Sequence, residues 1–250
     1  MPPILETRAL CRSFGALRAV ADVNFVVEPG ELRAIIGPNG AGKTSFFHLI
    51  SGVIRPSAGH VLFQGEDISA LAAPARCRRG ISRTFQITSI FPELTVLENV
   101  RVSIQLKAGG NFRLLGGRTL LSSTESRARA SLEFFGLADR ASAPANTLPH
   151  GDQRLLELAM AVAQKPMLLL LDEPTQGLAP EDTAAAVDVI RQIAKERALT
   201  ILLVEHDMDV VFNLADRISV LHLGQLIADG SPGEIRANPE VQKAYLGGLA

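Results

Sequence analysis

Gly37-Pro38-Asn39-Gly40-Ala41-Gly42-Lys43-Thr44 decides how the rest of the chain is read. Its spacing is G-x-x-x-x-G-K-[ST]. Glycines let a backbone wrap closely around phosphate oxygens, because no Cβ intervenes. Successive N–H groups then point inward as an anion nest. A helix opening near Lys43 adds its positive dipole end. Lys43 reaches β- and γ-phosphates, and the Thr44 hydroxyl suits Mg²⁺. The apolar run Leu32–Ile36 precedes the loop, and Phe46, Phe47, Leu49 and Ile50 follow it as one side of a helix. Strand, loop and helix in that order argue for a phosphate cradle rather than a plain glycine-rich turn.

Further apolar runs of strand length are Met167–Leu171, Thr200–Val204 and Ile218–Leu223. They lack strict alternation, as strands buried on both faces of a parallel sheet do. Helix-like stretches lie at Lys43–Ser51, Gln153–Ala163, Glu181–Arg197 and Met208–Ala215. Strands alternating with helices predict an α/β fold. Leu168–Leu171 runs directly into Asp172 and Glu173. In a doubly wound sheet ligands sit outside the carboxyl ends of the strands. Asp172 is therefore expected to hold Mg²⁺, directly or through water, and Glu173 to polarise an attacking water.

Composition fits that picture. The chain has 250 residues, 47% of them hydrophobic, and a formal charge of −1. A disordered chain is excluded by the apolar content, and a nucleic-acid backbone is not an expected partner without a basic excess. Cys11 and Cys77 have no paired spacing, which suggests a reducing compartment and gives no metal signature. No apolar run reaches the roughly 18 residues of a membrane span. The opening Met1–Glu6 has no basic start and no long apolar stretch, so no secretory leader is expected.

Between about Ile87 and Gln164 the pattern turns helical. Thr95-x-x-Glu98 and Ser231-Pro232-Gly233-Glu234 have capping-box spacing. The glycine-rich pieces at 107–111 and 116–118 read as a flexible connection. The expected division is an α/β nucleotide-binding core, residues 1–86 and 165–250, with a helical lobe inserted at about 87–164. Arg76, Arg78, Arg79 and Arg83 read best as a solvated helix face, and second as a contact to anionic lipid or nucleotide.

Three further segments complete a pattern: Arg83-Thr84-Phe85-Gln86, Leu148-Pro149-His150-Gly151-Asp152-Gln153-Arg154, and Glu205-His206-Asp207-Met208. In their order, over nearly the whole chain, they resemble the nucleotide-binding subunit of an ATP-binding cassette (ABC) transporter. With the ending Asn238-Pro239-Glu240…Ala244-Tyr245-Leu246-Gly247, they resemble the branched-chain amino acid uptake ATPases. Urea and amide uptake ATPases share this wording. The resemblance implies a P-loop NTPase core with an inserted helical subdomain and an N-terminal β subdomain.

It also implies residue roles. Phe14 would stack on adenine, and residues 37–44 with Ser45 would hold the phosphates of ATP. Gln86 would sense Mg²⁺ and the lytic water and couple the helical lobe to a permease. Glu173 would be the general base, and His206 would touch the γ-phosphate. Leu148–Asp152 would contact ATP bound to a second ATPase subunit, because family members work in pairs. The expected place is the cytoplasmic face of the cell membrane, on permease subunits served by an extracytoplasmic solute-binding protein. An ABC exporter of lipid or lipopolysaccharide is the alternative; a soluble non-transport ABC ATPase ranks below it.

The signature segment departs from the family's Leu-Ser-Gly-Gly-Gln. Pro149 lacks the serine hydroxyl, His150 adds bulk, and Asp152 brings negative charge near phosphate unless it turns away. Ala179 stands where the family often has Asp, forgoing about 1 kcal/mol of helix capping. These departures predict an asymmetric heterodimer with a related ATPase subunit, a homodimer being the alternative.

Overall fold

Leu32–Ile36 (β3) is buried at every residue and sits inside a six-stranded sheet. A computed structural model of the chain describes residues 2–84, 90–107 and 117–246. The strands before β3 are β1 (Leu5–Phe14) and β2 (Leu17–Val27); β4 (Ala58–Phe63), β5 (Glu66–Asp67) and β6 (Ile81–Arg83) follow it. The later ones are β7 (Leu168–Asp172), β8 (Thr200–Val204), β9 (Arg217–His222) and β10 (Gln225–Gly230). The large sheet has the order β10-β9-β3-β8-β7-β6, parallel except for the β9–β10 hairpin. A smaller antiparallel sheet has the order β2-β1-β4-β5.

Burial on both faces explains the apolar runs. Leu169 and Leu171 of β7 enter one core, while Leu168 and Leu170 enter the other. Strand β8 divides the same way, Ile201 and Leu203 against Leu202 and Val204. Each such side chain contributes about 1.5–3 kcal/mol by leaving water.

One core holds the smaller sheet and α1 (Lys43–Ser51), through Leu5, Leu10, Phe25, Phe46 and Phe47. The other takes in α3 (Val96–Lys107), α4 (Gly117–Phe134), α5 (His150–Ala163), α6 (Pro180–Arg197) and α7 (Met208–Leu214), with Ile235 and Val241 from near the end of the described chain. Short α2 (Ala73–Arg79) precedes β6, while α8 (Pro232–Ala237) and α9 (Pro239–Leu246) close the described chain. The fold class is the expected one.

Both capping boxes form. Ser231 Oγ accepts from the Glu234 N–H while the Glu234 carboxylate accepts from Ser231. The Thr95 N–H donates to Glu98 Oε2 at 2.8 Å, and the Glu98 N–H donates back to Thr95 Oγ1. Gly117 and Arg118, expected in a flexible connection, instead open α4. Among the described residues no helix is long and apolar enough to cross a membrane.

Candidate functional site

The loop after β3 takes its shape from backbone packed behind it. A Cβ on Gly37 would lie 2.1 Å from the Leu221 carbonyl oxygen, and one on Gly42 2.3 Å from that of Ala19. Both φ angles are positive, 153° and 99°. Only glycine meets both demands. The Gly224 N–H donates to Ala41 O at 2.9 Å, and the Ala21 N–H to Gly224 O at 2.8 Å. Strand β2 and the β9–β10 turn thus brace the cradle.

Lys43 lies at the mouth of the cradle. Its Nζ donates to Gly37 O at 2.5 Å and to Pro38 O at 3.1 Å. Burial lowers its pKa, and the Glu173 carboxylate works in the opposite direction. Thr44 is exposed and Ser45 half-buried on the first turn of α1, while Asn39 and Gly40 form an open lip. Phe14 ends β1, 45% exposed, with the Arg12 guanidinium 4.5 Å from its ring centre.

Opposite lie the ends of β7 and β8. Asp172 is buried, and its Oδ2 accepts from Arg83 Nη2 at 2.6 Å. Arg83 Nη1 donates to Ser51 Oγ at 2.9 Å, tying this pair to the end of α1. Glu173 turns into the left-handed region at φ 49°, and its N–H donates to Val204 O at 2.9 Å. Such a backbone costs of order 1–3 kcal/mol and recurs at functional sites. It puts Glu173 Oε1 3.9 Å from Nδ1 of His206, whose side chain is 59% exposed. Lys43, Asp172, Glu173 and His206 thus gather at the carboxyl ends of adjacent strands. Gln86 lies outside the described residues.

The basic cluster is not one surface. Arg76 is fully buried and donates to Leu71 O, Leu49 O and Ile50 O, the last two near the C-terminal end of α1. Burial pulls its pKa down to about 10. Arg83 is buried against Asp172, so only Arg78 and Arg79 are exposed. The reading as a solvated helix face fails because each buried guanidinium has oxygen acceptors waiting inside the fold.

The segment Leu148–Asp152 starts α5, with Pro149 as its N-cap residue and His150 exposed. Asp152 turns away to Arg140, at 2.5 Å. Gly151 packs against the Asp182 carboxylate of α6. Ala179 offers no side-chain cap to α6, whose first turn holds Glu181 and Asp182. Those two acids favour the helix dipole by about 0.3–1 kcal/mol each, which offsets much of the lost cap.

Sequence reasoning missed two roles. Spacing alone does not pair Arg83 with Asp172, and it presents Glu205 only as a neighbour of His206. The available signal was a charged residue set directly against an apolar strand, as in Ile81-Ser82-Arg83 and Leu203-Val204-Glu205.

Behind the cradle, a cleft of about 500 Å³ separates Pro38–Ala41 from Glu240 and Lys243 of α9.

The ABC transporter family profile matches residues 20–176, and that of the branched-chain amino acid ATP-binding cassette transporter matches residues 225–250. The high-affinity branched-chain amino acid transport ATP-binding protein LivG of Escherichia coli K12 is 40% identical over 98% of each chain. Its counterpart BraF of Pseudomonas aeruginosa is 39% identical over 98% of each. The ADP conformation of MJ1267, an ATP-binding cassette of an ABC transporter, matches with a TM-score of 0.85 and 29% identity. That match covers 99% of this chain and 100% of the other.

Proposed function

The chain belongs to the ABC transporter family of ATP-binding cassettes, and on that premise we propose that it energises uptake of branched-chain amino acids or related small polar solutes. The observation that carries this reading is the convergence of Lys43, Asp172, Glu173 and His206 on one cradle. The solute class rests on the C-terminal match and on the full-length relatives named for branched-chain amino acid transport. No observation favours the export alternative.

In the proposed mechanism the backbone of residues 37–42 and Lys43 hold the ATP phosphates, Ser45 adds to the same turn, and Phe14 stacks on adenine. Thr44 and Asp172 offer a hydroxyl and a carboxylate, the oxygen donors that Mg²⁺ prefers when phosphates and water complete its shell. That ion would neutralise charge on the transferring phosphoryl group. Glu173 polarises the attacking water, while His206 meets the γ-phosphate. Catalysis here is positioning and charge stabilisation rather than covalent chemistry. Gln86 would read the state of the site and pass it to a permease.

Residues 87–164 act as the lobe that docks on the permeases, at the cytoplasmic face of the membrane. Leu148–Asp152 would serve the ATP of a second cassette. Pro149 offers that ATP neither a hydroxyl nor an N–H, so we infer a heterodimer in which the partner supplies the fuller signature. Affinity isolation from detergent-solubilised membranes tests this. The expected complex contains two different ATPase chains, two permeases and an amino acid binding protein. A purified chain that forms an ATP-dependent homodimer with full hydrolysis would overturn the heterodimer.

A further inference from the structure

Glu205 is a carboxylate with no exposed side-chain surface, one residue beyond β8. A buried charge survives only with donors around it. Its donors come from two different loops, one loop to each oxygen. Oε1 accepts from the Thr175 N–H at 3.1 Å and from the Thr175 hydroxyl. Oε2 accepts from the His206 N–H at 2.9 Å and from the Asp207 N–H at 3.4 Å.

Thr175 lies two residues beyond Glu173, on the loop that leads to α6. The Leu178 N–H donates to Thr175 O at 3.2 Å, so the turn before α6 hangs from the same residue. The other loop carries His206, whose Nδ1 is 3.7 Å from Glu205 Oε2 and 3.9 Å from Glu173 Oε1.

We propose that Glu205 is a positioning residue for ATP hydrolysis, its carboxylate bridging the loop that carries Glu173 to the loop that carries His206. The inference rests on the roles proposed above for those two residues. Glu205 touches no substrate; it sets the separation of the groups that do. A bridge of this kind acts on the arrangement reached in the transition state more than on nucleotide affinity. Misplacement of a reacting group by about 1 Å costs about 100-fold in rate.

Glu205→Gln keeps the shape but turns an NH₂ toward N–H donors of one loop. In the complex isolated from membranes, kcat should fall about 10- to 100-fold while KM for ATP and binding of a fluorescent ATP analogue stay within about twofold. Thr175→Val should act in the same direction, and Thr175→Ser should restore the rate. The double variant Glu205→Gln/Thr175→Val should be little slower than Glu205→Gln alone, because both break one bridge. Unchanged kcat in Glu205→Gln overturns the proposal. So does a parallel loss of kcat and ATP affinity, or a Thr175→Ser variant as slow as Thr175→Val. Should Glu205→Gln fail to fold, the Thr175 pair decides alone. Glu173→Gln separates the two levels: normal turnover there removes the base assignment itself. An inactive Glu173→Gln beside a fully active Glu205→Gln removes only the bridge.

Discussion

Arg83 shows how much one side chain settles at the acidic end of the site. It is buried with Asp172, bonded to Ser51, and 5.7 Å from the Phe47 ring centre. An ion pair this deep is expensive to desolvate, and removing one partner leaves the other charge stranded. Arg83→Met should therefore cost about 3–5 kcal/mol of stability. Urea unfolding with an unchanged slope checks this, and a loss below about 1 kcal/mol would contradict it. Arg83→Lys keeps the charge but not the forked geometry that reaches both Asp172 and Ser51. Its stability should lie between those of the wild type and Arg83→Met.

At the scale of elements, α9 reaches back to the start of the cradle. Tyr245 packs near Gly37, and burial pushes its phenol up to about 12, offset in part by the Gly37 backbone. An unfolded tyrosine loses its proton near pH 10. The contribution of this group to stability is thus complete below about pH 10 and is lost as the pH climbs toward 12. The chain has one tyrosine and no tryptophan, so phenolate absorbance reports Tyr245 alone. A titration midpoint near 10 in the folded protein would show that α9 does not hold it.

Elements differ in how legible they were. Residues 32–36 and 200–204 were read with the observed bounds, because two-sided burial leaves an unbroken apolar run. Helix α5 begins at His150 rather than Gln153, since Pro149, His150 and Gly151 carry little helix propensity and Pro149 serves as the cap residue. Strands β1 and β2 were expected only as a β subdomain. Their burial is irregular and their pairing slips at several points, which erases a clean alternation. Within the site, the cradle and the two acids were plain from spacing. The Arg83–Asp172 and Glu205–Thr175 pairings join residues far apart in sequence, and only the fold brings them together. Charge in a sequence reads as surface until a buried partner is known.

For the whole molecule, charge and apolarity divide between the site and the cores. The apolar residues fill two cores on opposite faces of the large sheet, and no described helix spans a membrane. Under the proposed function, permease chains would form the transport path and this chain would supply the work. The near-zero net charge fits a protein whose charges act locally, Lys43 on one side and Asp172 and Glu173 on the other. Asp152, proposed to face a partner's phosphate, has its charge turned to Arg140, so on that proposal the segment Leu148–Asp152 would be less hostile to ATP than its sequence suggests. ATP hydrolysis at this cradle is proposed to use Glu173 as the base. The most direct measurement is ATP binding and phosphate release by Glu173→Gln beside the wild type in the isolated complex. Glu173→Gln should keep wild-type affinity for ATP, with turnover reduced at least about 100-fold. Phosphate release at the wild-type rate would contradict it.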